Sequence, residues 1–278
     1  MSYRDILVHL DETAASVLRA RTAAEIASRT KAHLTGVFLM SEFLRQFMVA
    51  DWLSALSPEA ADQIVRDHRE AVRKASEQGR TALEAAAAEA GVESDWITIN
   101  GDDSVLLVAA ARRADLTVFP KSAHACLGEH VISAADLGLA CGGPILVLPV
   151  DDYAPPVGKR VLVAWNGSRE AARALRDAWP LIAAADERHI LIVSPNDAGT
   201  PDAQLESLFK RHGCEVNLIL DSSRDESAAE VLDRQIAELD IDLLVMGLYG
   251  HPRLQEAVLG GVSRHMLSEL RVPLFISH

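Results

Sequence analysis

Short apolar runs alternate with long alanine-rich stretches along the chain, and a polar turn follows each run. Ile6-Leu7-Val8 leads through Asp11 and Thr13 into one such stretch. Val161-Leu162-Val163 leads through Asn166 and Ser168 into another. An unbroken apolar run of this length reads as a strand covered on both faces, and the stretch after it as a helix. Thr13 and Ser168 stand where helix N-caps are expected.

The pattern repeats. Val161 lies 155 residues after Ile6. Later, Ala114-Asp115-Leu116-Thr117-Val118 matches Ile241-Asp242-Leu243-Leu244-Val245 at 127, and Pro144-Ile145-Leu146-Val147 matches Pro273-Leu274-Phe275-Ile276 at 129. The drop from 155 to 127 places 28 extra residues in the first half, between Leu39 and Ala114. Each half reads β-α-β-α-β-α-β-α-β. In the second half the pattern predicts strands near 160–165, 188–193, 215–220, 242–246 and 272–276. Helices are predicted near 168–185, 201–212, 224–239 and 260–270, with Ser223 and Glu226 as a capping box. The predicted fold class is α/β, two tandem five-stranded, mainly parallel sheets with helices on both faces. The predicted domains are 1–150 and 159–278, with the charged, proline-containing segment 151–158 as linker.

The extra residues of the first half open with a stripe of Phe43, Leu44, Phe47 and Met48 at helical spacing, extending toward Leu56. This stripe reads as a domain or dimer contact, or as the lining of an apolar cleft. Residues 58–91, rich in Ala, Glu, Arg and Gln, predict one extended helix.

After the fourth strand of the second half comes Gly247-Leu248-Tyr249-Gly250, then nine residues, then Gly260-Gly261-Val262-Ser263. Ligands of open parallel sheets sit at the carboxyl ends of strands. A helix N-terminus there offers free N–H groups to phosphate. Glycines in such a place also serve tight turns and close helix packing. Glycine, two residues, glycine, nine residues, glycine and then a small hydroxyl residue resembles the ATP-binding motif of the universal stress proteins, and the two repeats make the chain similar to a tandem member. The resemblance implies strand order 3-2-1-4-5 in an adenine nucleotide α-hydrolase-like fold, with fifth strands paired. It implies a nucleotide held by Asn166 in the first loop, by Val193 on the second strand, and by Met246, Gly247, Gly250, Gly260, Gly261, Val262 and Ser263. Arg253 in the loop is placed to pair with phosphate oxygens. The implied ligand is ATP, ADP or AMP, with Mg²⁺ accompanying it.

Two positions depart from that motif. Gly261 stands where the family usually has serine or threonine, and Asn166 where ATP-binding members usually have aspartate. Gly261 keeps its N–H but loses a hydroxyl contact, and Asn166 can still hydrogen-bond but holds a metal or ribose hydroxyl less strongly; each lost hydrogen bond costs about 0.5–1.5 kcal/mol. His251, Arg264 and His265 add basic groups beside the loop. The first half keeps Asp11 but reads Phe119-Pro120-Lys121-Ser122 at the matching place, with Glu129 near the helix start. Proline stiffens that turn and the glutamate repels phosphate, so nucleotide binding is expected in the second half. His124, Cys126, His130 and Cys141 have no standard zinc-finger spacing and read as loop histidines beside buried cysteines, so no metal is expected. His9, inside the first strand, reads as a hydrogen-bonded core histidine.

Composition narrows the function further. A net charge of −13 disfavours nucleic acid and anionic membranes as partners. No apolar run is long enough to span a bilayer, no signal-peptide pattern is visible, and three scattered cysteines suit a reducing cytoplasm. The Walker lysine is absent and no catalytic residue is marked. The expected protein is a nucleotide-binding regulator in stress signalling, forming a homodimer or an intramolecular pseudo-dimer. The alternatives are a ligand-free interaction scaffold and a slow ATPase.

Overall fold

A computed structural model describes residues 2–41, 57–101, 104–126, 131–150, 153, 156–194, 203–248 and 261–278. It divides into two compact units, Tyr3–Leu137 and Gly138–His278, the latter joined by Met1–Ser2. The stripe at Phe43–Met48 and the site residues Gly250, Arg253 and Gly260 lie outside the described residues, as do Glu129 and His130.

The first unit contains β1 (Asp5–His9), β2 (His33–Met40), β3 (Ser94–Asn100) and β4 (Leu116–Pro120), in the order β3-β2-β1-β4. All three pairings are parallel, with Val8 opposite Gly36 and Val118. Helices α1 (Ala15–Thr30), α2 (Pro58–Ala90) and α3 (Val105–Ala111) lie between the strands, and β5 (Ser122–His124) pairs antiparallel with β6 (Val131–Ser133). The long helix expected at 58–91 is present, capped by the Ser57 hydroxyl, which accepts from Ala60 N–H. Thr13 does not cap α1. Its N–H and hydroxyl both turn back to Asp11 Oδ1, so the acid holds the loop and leaves the helix without a side-chain cap.

After α4 (Ala134–Cys141), the second unit contains β7 (Ile145–Leu148), β8 (Arg160–Ala164), β9 (Glu187–Val193), β10 (Asn217–Asp221), β11 (Leu243–Gly247) and β12 (Leu274–Ser277). Their order is β10-β9-β8-β11-β12-β7, parallel except that β12 and β7 run antiparallel. The last strand of each repeat is therefore paired with its counterpart, Phe275 opposite Leu146. The strand order 3-2-1-4 holds in both units. Apart from the separate β5–β6 pair, the strands divide four and six rather than five and five, because β7 lies beside β12 within the second unit. Both central strands start on the same device. Asp115 accepts from Arg4 and Asp5 N–H, and Asp242 accepts from Gly158, Lys159 and Arg160 N–H.

The helices of the second unit are α5 (Arg169–Asp177), α6 (Trp179–Ala184), α7 (Ala203–Arg211), α8 (Ala228–Glu238) and α9 (Gly261–Ser268). The single helix expected at 168–185 is broken, because Pro180 lacks an N–H and starts a new helix instead. The Ser168 hydroxyl does cap α5, accepting from Ala171 N–H. The capping box is Ser227 with Glu230, not Ser223 with Glu226. Ser223 N–H is taken by Asp221, and Glu226 is paired with Arg234. Among the described residues no helix is long and apolar enough to cross a membrane.

Candidate nucleotide site

The carboxyl ends of β8, β9 and β11 open onto a cavity of about 280 Å³ in the second unit. Its apolar wall is Ala164, Leu191, Val193, Leu232 and Met246; Asn166, Ser168 and Ser263 supply polar groups. Gly261 and Val262, at the start of α9, close one side. The seven expected site residues that the structure describes, Asn166, Val193, Met246, Gly247, Gly261, Val262 and Ser263, all line this one cavity.

Their roles differ. Asn166 is exposed, and its Oδ1 accepts from Ser168 N–H at 3.0 Å. The carbonyl end is thus spent on the turn, and among the described residues the amide NH₂ has no partner. Ser263 is buried in the first turn of α9. Gly261 is exposed, and among the described residues a Cβ there would meet nothing within 4 Å, so its hydrogen is not needed for packing against them.

Gly247 is the opposite case. A Cβ would come within 2.6 Å of the Glu170 carbonyl carbon and 2.7 Å of Ala171 N, both backbone atoms at the start of α5. This glycine lets a helix end seat against a strand end, so its role is packing beside the cavity. Gly247→Ala is expected to lower stability by about 1–3 kcal/mol, since backbone must shift. Urea unfolding measures this, and an unchanged midpoint would refute the close approach.

Sequence reasoning missed Trp165. It is half-buried in the cavity lining, and its backbone N–H donates to Leu191 C=O at 2.9 Å. The available signal was its position, one residue before Asn166 at a strand's carboxyl end. His265, which reads as a loop cation, instead lies 2.7 Å from Asp233 and ties α9 to α8. Arg264 is exposed, and His251 lies outside the described residues.

The equivalent space in the first unit is filled. The repeat offsets put His9 in place of Ala164, Phe119 in place of Met246 and Pro120 in place of Gly247. His9 and Phe119 are fully buried, with ring centroids 5.2 Å apart. Arg19, itself buried, reaches His9 C=O at 2.6 Å and Asp11 at 2.9 Å, and the Ser16 hydroxyl donates to Asp11 at 2.7 Å. His9 is in the core as expected, but it is not hydrogen-bonded. Neither ring nitrogen has a partner among the described residues, and burial pushes its pKa down to about 3. Cys126 is buried with its pKa raised to about 11, chiefly by desolvation, while His124 is exposed.

Residues 158–278 match the model of the universal stress protein family. The match covers the second half of the chain, which is thereby similar to the universal stress protein family. No curated protein matches it. The solved structures similar to it include a universal stress protein from Archaeoglobus fulgidus, at 18% identity and TM-score 0.70, covering 98% of this chain and 97% of that one. A protein of unknown function from Pseudomonas aeruginosa is similar at 17% identity and TM-score 0.57, covering 99% and 92%. At such identities the likeness is one of fold. The glycine motif and the cavity both lie within the universal stress protein domain matched by the family model.

Proposed function

We propose that the protein is a regulatory universal stress protein that binds an adenine nucleotide in the cavity of its second unit. The supporting observation is the convergence of seven motif residues, spread from 166 to 263 along the chain, on one cavity between a helix N-terminus and three strand ends. The apolar wall suits a base. The amide of Asn166 suits a ribose or base acceptor, and the N–H groups opening α9 suit phosphate. In the first unit the larger side chains of His9 and Phe119 stand buried at the positions matching Ala164 and Met246, which argues against the same use there. Among the described residues no group beside the cavity is marked as a base for activating water, which favours a reading of binding over turnover.

Calorimetric titration of ATP, ADP and AMP tests this. Saturable binding at micromolar to millimolar concentration is expected. Gly261→Ser should tighten ATP binding by roughly two- to tenfold, because a hydroxyl enters open space and adds one hydrogen bond of about 0.5–1.5 kcal/mol. Absence of heat for all three nucleotides at millimolar concentration would refute the reading.

A further inference from the structure

A larger cavity, about 610 Å³, lies in the first unit between α2 and the strands β2 and β3. We propose that it binds a small amphiphilic carboxylate, with the apolar body on its floor and the anionic head among arginines of α2. This inference is independent of the nucleotide site, which sits in the other unit.

The floor is Met40, Val65, Val72 and Trp96. The indole is seated by two glycines. A Cβ at Gly36 would come within 2.7 Å of the ring, and one at Gly79 within 2.9 Å. It stacks with Phe38 at 6.3 Å, and its N–H donates to Ser76 Oγ at 3.3 Å. Ser76 lies 3.4 Å from the Thr98 hydroxyl. A flat apolar surface is thus fixed at one end of a short polar line, as small-molecule sites require.

The charge sorting of α2 decides the sign of the ligand. The helix carries five basic side chains, Arg66, Arg69, Arg73, Lys74 and Arg80, and seven acids. Among the described residues, three of the five bases line the cavity, Arg69, Arg73 and Arg80, but only one acid does, Glu77. Residues 69, 73, 76 and 80 recur at four, three and four, one stripe of the helix facing the groove. In a chain of net charge −13, this cationic lining stands out against the general field.

The existing ion pairs do not close the site. Arg73 pairs with Glu70 at 2.6 Å and Glu77 at 2.5 Å, and Arg80 with Glu84 at 2.7 Å, all with exposed side chains. Exposed pairs of this kind hold weakly, so an incoming carboxylate can exchange for them. The guanidinium fork matches a carboxylate in two-point geometry.

Isothermal titration of the full chain with decanoate tests the proposal, with decyltrimethylammonium as the probe of opposite head charge. One saturable decanoate site is expected, with the cationic probe roughly tenfold weaker or worse. The double variant Arg69→Ala, Arg73→Ala, on an exposed helix face, should weaken decanoate roughly tenfold. Val72→Glu, which places a carboxylate in the floor, should weaken it at least as much, and Ala203→Glu, at an exposed position of α7 in the second unit, should leave it unchanged. Absence of saturable binding, equal binding of both probes, or binding unaffected by either first-unit variant would overturn the proposal.

Discussion

Replacing Gly261 with aspartate is expected to lower ATP affinity by about a hundredfold or more while leaving the fold as stable as before. Two magnitudes set the expectation. Gly261 is the first residue of α9, and no described atom lies within 4 Å of its Cβ position, so the aspartate clashes with none of them. An acid in the first turn interacts favourably with the helix dipole, by about 0.3–1 kcal/mol. Stability should therefore hold or rise. The same carboxylate stands where the phosphates must approach the free N–H groups. Like charges about 4 Å apart repel by about 4 kcal/mol at a partly buried site. A loss of about 2.7 kcal/mol already amounts to a hundredfold. Calorimetry of the variant beside Ser122→Asp, an exposed position in the first unit, separates site from scaffold. If Gly261→Asp binds ATP as the wild type does, phosphate does not sit at the start of α9.

The fold was legible because repetition and periodicity are properties of the chain itself. The apolar runs starting at Ile6 and Val161 are the central strands of the two units, and Asp115 and Asp242 cap them through the same hydrogen bonds. What escaped depended on local competition. Thr13 and Ser168 look alike in sequence, but Asp11 claims Thr13 while Ser168 is left to cap its helix. Ser223 and Ser227 each stand before a glutamate three residues on. Asp221 binds the first, so the helix begins after the second. At the site, spacing could not separate the uses of the glycines. Gly247 is a packing residue and Gly261 an open one, a distinction made only by what surrounds each Cβ. The filling of the first unit's site was half visible. Pro120 and the shortened loop announced that the motif was lost, but only the shared position of His9 and Phe119 shows that the space went with it.

That filled space makes the first unit acid-labile, and His9 is expected to account for about 2 kcal/mol of lost stability between pH 7 and pH 5. The sign follows from the direction of the shift. Burial pushes the His9 pKa from 6.5 down to about 3, the Arg19 guanidinium pushes the same way, and Asp11 opposes them less strongly. Between those two values the unfolded chain takes up a proton that the folded chain refuses. Stability is therefore undiminished above about pH 6.5. Below that it falls by about 1.4 kcal/mol per pH unit until the folded pKa is reached. Asp11 adds a second loss at lower pH. Its burial alone would raise its pKa, but Arg19 and the hydroxyls of Thr13 and Ser16 outweigh that and hold it at about 2, below its usual 3.8. Its contribution is present above about pH 4 and disappears as the pH falls toward 2. Urea midpoints at pH 7, 6 and 5 for wild type and His9→Gln isolate the histidine, because the other titrating groups are common to both. The variant starts from a different stability, so the slopes carry the information. A shallower fall in His9→Gln, by about one proton's worth per pH unit, is the expected result. Identical slopes would mean that His9 takes its proton in the folded protein, and that the space between β1 and β4 is open enough to admit water.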